Sequence, residues 1–288
     1  MPYTRSIFRD GLFAGQNIVV SGGGTGIGFA IARELASLGA TVIICSRSLD
    51  HLEPARAALE AEGGKAIALP CDIRDADAVT GFWDAAIERV GQIHGLVNNA
   101  GGQFLSPAAA ISPNGWRAVI ETNLSGTFNM CRAAYLSGMQ VHGGAIVSIV
   151  ADMWRGFPNM AHTGAARAGV VNLTQSLALE WAAAGVRVNA VAPGVIDSSG
   201  LKTYPEAVRA MLGAVAQEIP AQRMGTELEV AAAVTFLLSP GAAYISGATL
   251  RVDGAGSLYR LQGYTIPTHT PWPAYGPAGA TTDEDEPL

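Results

Sequence analysis

The chain is poor in cysteine, in charge and in long apolar runs, and each shortage excludes a class of protein. Its 288 residues hold three cysteines, Cys45, Cys71 and Cys131. They lie in apolar segments without metal-ligand spacing, so neither a disulfide scaffold nor a zinc site is expected, only reduced, buried thiols in a cytoplasmic protein. Hydrophobic residues make up 49% of the chain, yet no run approaches the ~20 residues of a membrane helix. Met1 to Asp10 carries Arg5 and Arg9 and no apolar core segment, so no secretory signal is expected. Charged residues are 15% of the total and the net charge is −6, which argues against a nucleic-acid surface. Two further absences matter later. The strict G-x-G-x-x-G spacing is missing, and no tyrosine stands between Ser137 and Ser198.

What is present is organised around Ser21-Gly22-Gly23-Gly24-Thr25-Gly26-Ile27-Gly28. Asn17-Ile18-Val19-Val20 before it reads as a strand; Ile27, Ile31, Leu35 and Leu38 after it share one helix face. Glycines on such a strand-to-helix turn bare the backbone N–H groups and the positive helix end to a phosphate. Further short apolar strands are expected at 41–45, 66–69, 93–97, 145–150, 186–192 and 248–252. Helical patterns lie between them, the longest near 112–141 and 160–184. Alternation without hairpin signals predicts an α/β protein: one doubly wound parallel sheet, a Rossmann fold, with helices on both faces and ligands at the carboxyl ends of the strands. That domain is expected over residues 1–256. Residues 257–288 form an extension rich in proline, with Tyr259, Tyr264 and Trp272 able to pack on the body or a neighbour and a disordered acidic end at Asp283–Glu286.

Over about residues 14–256 the chain resembles the short-chain dehydrogenase/reductase family. The glycine turn, with Gly22, Gly24, Thr25, Gly26 and Ile27 around a pyrophosphate, is similar to that family's nucleotide-binding turn. After the second strand, Ser46-Arg47-Ser48 stands where an acidic residue would bind ribose hydroxyls; Arg47 can instead bind a 2′-phosphate, so NADP(H) is expected rather than NAD(H). The resemblance implies that Asp72 accepts the adenine amine beside the Ile73 backbone, and that Asn99-Ala100-Gly101, in the N-N-A-G segment, runs beside the cofactor. It implies too that Pro193-Gly194-Val195-Ile196-Asp197-Ser198 lies against the nicotinamide, with Ser198 where Thr is usual.

The catalytic pattern departs from the family. Asn123 matches the family's helix Asn, but Thr163 falls at the Tyr position, Arg167 at the Lys position, and the usual Ser falls on Val150 or Ala151. Carbonyl reduction needs a proton as the hydride arrives, and a Thr hydroxyl is too weak an acid to supply it; losing general acid catalysis costs ~10²–10⁴ in rate. Arg167 can bind the nicotinamide ribose but stays protonated. Reduction of an activated C=C bond asks less. Charge moves to the carbonyl oxygen as an enolate, which needs hydrogen-bond donors, and the α carbon can take its proton from a weaker or more distant acid.

The segments His162–Val170, Ser176–Trp181, Ser257-Leu258-Tyr259 and Trp272-Pro273 resemble peroxisomal trans-2-enoyl-CoA reductases; related 2,4-dienoyl-CoA reductases keep Lys where Arg167 stands. An NADPH-dependent 2-enoyl thioester reductase is therefore expected. The alternatives are a carbonyl reductase or alcohol dehydrogenase using His162 as its acid, and a catalytically silent NADP-binding protein. His162 either transfers a proton or is a structural histidine at a helix start. Asp152 and Tyr204 are further candidate acids, Trp154 and Phe157 candidate pocket residues, and Arg155, Lys202 and Arg209 candidate rim cations for an acyl thioester. The C-terminal Glu286-Pro287-Leu288 is not a peroxisomal Ser-Lys-Leu signal. The resemblance implies a homotetramer; no membrane or nucleic-acid partner is expected.

Overall fold

The computed structural model describes residues 6–201, 206–258 and 269–275. Seven parallel strands form the sheet: β1 (Asn17–Ser21), β2 (Thr41–Ser46), β3 (Lys65–Pro70), β4 (Gly95–Asn98), β5 (Gly144–Ile149), β6 (Val186–Pro193) and, later in the chain, β9 (Thr249–Val252). Their order across the sheet is β3-β2-β1-β4-β5-β6-β9. The chain therefore reverses direction across the sheet between β1 and β4, in register Ile18↔Gly95 through Ser21↔Asn98. A crevice opens there at the carboxyl ends. Between β6 and β9 lie two short paired strands, β7 (Ile196–Asp197) and β8 (Gly225–Thr226).

Alternation along each strand divides the core into two layers. Ile18, Val20, Val42 and Ile44 face the layer that holds α1 (Gly26–Ser37) and α9 (Glu227–Leu238). Val19, Ile43, Leu96 and Ile146 face the other, with Phe82 and Trp83 of α3 (Ala76–Val90) and Met130 of α5 (Gly126–Ala134). Each fully buried Leu, Ile or Val contributes roughly 1.5–3 kcal/mol, so both faces supply cohesion. The doubly wound expectation is met.

Differences from the sequence reading concern breaks within helices. The run expected over 112–141 is α4 (Pro113–Ile120), a π-helical turn (Glu121–Ser125), α5, a second π turn (Tyr135–Met139) and α6 (Gln140–His142). Gly138, with φ 156°, sits at the kink in the second π turn. α7 (Ala161–Glu180) ends before a 3₁₀ turn at Ala182–Ala184. Between β7 and β8 stands α8 (Glu206–Glu218), to which the sequence reading assigned no element. α9, which the sequence reading did not single out, starts in a capping box between Thr226 and Glu229. Tyr204, Lys202, Tyr259, Tyr264 and the acidic end lie outside the described residues.

Candidate active site

The glycine turn is built to be close-packed and bare. Gly22 has φ +66°, and its N–H donates to the Cys45 carbonyl at 2.7 Å. A Cβ on Gly28 would stand 2.1 Å from the Gly22 carbonyl oxygen and 2.4 Å from Asn99 Nδ2, so only hydrogen fits there. Thr25 precedes α1 without a side-chain cap, leaving the first N–H groups of the helix open to an anion. Ser21 ties the two sides of the crevice: its hydroxyl accepts the N–H groups of Asn99 and Ala100, both at 3.1 Å. Asn99 returns its amide to the carbonyls of Ser21 and Gly22 at 3.2 and 3.1 Å. Gly26, at φ +57°, faces Ser199, whose N–H is held by Glu227 at 3.1 Å. A cradle that any Cβ would fill, at a free helix N-terminus, fits a pyrophosphate.

The adenosine side lies at the ends of β2 and β3. Arg47 is exposed, and the Ser46 hydroxyl donates to the Ser48 carbonyl at 2.8 Å. Asp72 is engaged by its neighbour: Arg74 reaches both carboxylate oxygens, at 2.9 and 2.5 Å. That guanidinium, with Arg47 nearby, holds the Asp72 carboxyl below its usual range. The Ile73 carbonyl accepts the Asn129 amide at 3.0 Å, and the Ile73 side chain is buried against Gly126.

The π turn delivers Asn123, and α7 delivers Thr163 and Arg167. Asn123 is fully buried; its amide donates to the carbonyls of Gly102 and Val119 at 2.7 and 2.9 Å, and its oxygen accepts the Gly102 N–H at 3.3 Å. Asn123 therefore holds the loop after β4. Gly169 lets α7 close on that turn, since a Cβ there would meet Leu124 at 3.0 Å. Arg167 lies on the same loop: a Cβ on Gly101 would meet Arg167 Nη2 at 2.5 Å and Asn123 Oδ1 at 2.6 Å. Its Nη1 donates to the Ile149 carbonyl at 2.7 Å, and no carboxylate pairs with it among the described residues. Burial lowers its pKa to about 10, which leaves it charged at neutral pH.

Thr163 and His162 are both wholly buried. The Thr163 N–H donates to His162 Nδ1 at 2.7 Å, and the Thr163 hydroxyl lies 3.2 Å from the same nitrogen. Nδ1 is thus an acceptor and the ring carries its proton on Nε2, which has no partner among the described residues. Burial lowers the His162 pKa, and the Phe104 ring packs edge-on at 4.4 Å. Neutral, covered and already engaged at Nδ1, His162 is poorly placed to deliver a proton itself and well placed to orient Thr163.

Asp152, half-buried after β5, has its pKa raised by burial and by Asp253, against Arg155 and Arg251. Arg251 stacks over the Trp154 ring at 4.1 Å, and Phe157 packs on Gly164. Arg209 is exposed on α8. Gly194 accepts no Cβ because Asp253 lies 2.9 Å away. Pro193 ends β6, Ile196 is buried, and Ser198 is half-buried at the start of the arch over the cradle. Sequence reasoning named Ser21 in the turn without giving it a role, and it missed Phe104, which carried no signal.

The family model for enoyl-(acyl carrier protein) reductase matches residues 15–256. The chain is 38% identical over 261 residues to the peroxisomal 2,4-dienoyl-CoA reductase of Pongo abelii, covering 90% of this chain and 89% of that one. Among solved structures it is similar to the citronellol catabolism dehydrogenase AtuB of Pseudomonas aeruginosa PAO1, at 48% identity and a TM-score of 0.80, over 88% of this chain and 99% of that one. A protein described as an NAD(P)-dependent gluconate 5-dehydrogenase from Beutenbergia cavernae, with bound NADP, is 33% identical at a TM-score of 0.78, over 85% and 98%. With its cradle, its sheet order and these likenesses in agreement, the chain belongs to the short-chain dehydrogenase/reductase family, oxidoreductases that use a nicotinamide cofactor.

Proposed function

We propose that this chain uses NADPH to reduce the carbon–carbon double bond of an α,β-unsaturated acyl thioester, of 2-enoyl or 2,4-dienoyl type. One observation carries the reading. The proton-donor position holds buried Thr163, beside an Arg167 that has no counter-ion among the described residues. The described tyrosines lie elsewhere: Tyr135 stacks on Trp181, Tyr244 is fully exposed, and Tyr275 belongs to the C-terminal segment. The name of the Pongo abelii relative supports the same substrate class.

When bound, NADPH would supply the hydride from its nicotinamide ring. Gly22, Gly24, Thr25, Gly26 and Ile27 would hold its pyrophosphate, Ser46 and Arg47 its 2′-phosphate, and Asp72 and Ile73 its adenine. Asn99, Ala100, Gly101, Pro193, Gly194, Ile196 and Ser198 line its reactive half. Arg167 holds the ribose hydroxyls, and Asn123 fixes the Gly101-Gly102 loop. On this reading the Thr163 hydroxyl, buried 3.2 Å from His162 Nδ1, turns from that nitrogen to meet the charge that develops on the thioester oxygen, while His162, neutral, accepts the Thr163 backbone N–H and keeps that residue in place. Asp152, whose carboxyl pKa is raised by burial and by Asp253, or water supplies the α-carbon proton. The three unbridged, buried thiols suit a cytoplasmic enzyme. The exposed Leu136, Val141 and Leu179 suit burial between subunits of a homotetramer.

The test is NADPH consumption by the purified protein with 2-enoyl-CoA and 2,4-dienoyl-CoA thioesters of several lengths, against a ketone panel. Rapid ketone turnover with every thioester inert would reject the proposal. The name of AtuB, a dehydrogenase, favours a second reading as a carbonyl reductase or alcohol dehydrogenase. It requires that His162→Ala abolish ketone turnover while NADPH binding survives.

A further inference from the structure

The side of the site away from the nucleotide is held from outside by the C-terminal segment. The His269 ring lies between the carbonyl oxygens of Thr270 and Pro220, with Nδ1 at 2.7 Å from the first and Nε2 at 2.9 Å from the second, and the Trp272 N–H donates to the Ala221 carbonyl at 3.1 Å. Arg223 is the hub. It donates to the carbonyls of Trp272 and Pro273 at 2.6 and 3.1 Å, and forks onto Glu229 at 2.9 and 2.6 Å. Glu229 also accepts the Tyr275 N–H at 3.2 Å, and the Tyr275 hydroxyl accepts the Ile7 N–H at 3.0 Å. The segment 269–275 is thus bound at both ends.

Its attachment point continues inward. The Ala221 N–H donates to the Gly254 carbonyl at 3.2 Å, and a Cβ on Gly254 would meet Ala221 at 2.8 Å and Ile219 at 3.0 Å. The same turn after β9 receives Arg155, which donates to the Gly256 carbonyl, and sets Asp253 beside Asp152. A continuous path therefore runs from 269–275 through 219–223 and 253–257 to the loop that carries Asp152, Trp154 and Arg155. α8 leads directly into Ile219. The path meets the nucleotide side only where Asp253 abuts Gly194 and where Gly225–Thr226 pairs with Ile196–Asp197; none of its groups lies at the cradle or at Arg47.

We propose that Arg223 is a positioning residue for the substrate: by fastening 269–275 onto 219–223 it holds the acyl-side wall of the site and leaves the pyrophosphate cradle and the Arg47 end, which dominate nucleotide affinity, untouched. This rests on the proposed function for its placement of the acyl group on that wall. The test compares the full-length protein with Arg223→Ala, Arg223→Lys and Trp272→Pro, the last removing the N–H that reaches Ala221. Hydrogen exchange is followed in peptides over 219–224, 253–257 and 151–157, with 17–28 as control. NADPH affinity and the KM and kcat for enoyl-CoA are measured beside it.

Arg223→Ala and Trp272→Pro should speed exchange in the first three peptides and leave the control unchanged. They should raise KM for the thioester by about tenfold while NADPH affinity stays within about twofold. Arg223→Lys should recover part of the effect, since an ammonium lacks the guanidinium fork. Wild-type exchange in 253–257, an unchanged KM, or NADPH affinity falling in step with KM would each overturn the proposal; if Arg223→Ala does not fold, Trp272→Pro decides it. Failure of the unaltered protein to reduce any enoyl thioester would instead reject the proposed function, and the exchange rates would still judge the latch.

Discussion

Glu34→Gln should remove a pH dependence built into α1. Glu34 is 1% exposed. Its Oε1 accepts the Ser6 hydroxyl at 2.6 Å, and its Oε2 is buried with no partner among the described residues. Burial raises its carboxyl from 4.5 to about 7. The folded state therefore holds this proton more tightly than the unfolded chain. The contribution is fully present below the unfolded value, and stability falls as pH rises towards the folded value, beyond which the deficit is constant. A shift of that size is worth roughly 3 kcal/mol. Glutamine cannot ionise, so its advantage over the unaltered protein should grow by about that amount between about pH 5 and about pH 8. The new amide leaves an unsatisfied group costing ~1–3 kcal/mol, but this offset applies equally at every pH; the slope is diagnostic. Urea midpoints taken across that range provide the assay. Parallel curves for the two proteins would refute the reasoning.

Two further substitutions probe the nucleotide half. Gly28→Ala puts a methyl 2.1 Å from the Gly22 carbonyl, so the cradle must open; a stability loss of about 1–3 kcal/mol with weakened NADPH binding is expected, and unchanged melting and affinity would count against the cradle. Arg47→Glu should weaken NADPH binding about 10- to 100-fold, the worth of a charge-assisted phosphate contact, and leave NADH binding intact; fluorescence titration of both nucleotides decides it.

Much of this architecture was legible in the residues because its signals are local. The run Ile18-Val19-Val20 and the glycines after it are read from adjacent positions, and the structure places them as a strand, a positive-φ turn and a helix start. Asn123, Thr163 and Arg167 were found through the family resemblance, and α7 with the π turn brings Asn123 and Arg167 to one loop at Gly101. What escaped depends on distant partners. The π turn at Glu121–Ser125 packs against α7, a contact that no window of sequence contains. The burial of His162 depends on Phe104, 58 positions earlier in the chain. Arg74 is close in sequence to Asp72, but their pairing depends on the turn after β3 that folds the Arg74 backbone and guanidinium back onto the carboxylate.

Arginine at position 167, where the family resemblance implies lysine, compounds the loss of the phenol. Both cations would sit in the same dry place, between Gly101 and the Ile149 carbonyl. There burial favours the neutral form. An ammonium, with the lower intrinsic pKa, could release a proton into a relay; the guanidinium, even lowered to about 10, remains an ion with five donors and nothing to give up at neutral pH. A site that keeps the field and abandons the relay is suited to substrates whose oxygen gathers charge without taking a proton in the same step. A conjugated thioester meets that condition, because its enolate spreads charge away from the carbon that receives hydride. An isolated ketone does not, because its alkoxide is too basic to be left unprotonated beside a hydroxyl and a guanidinium.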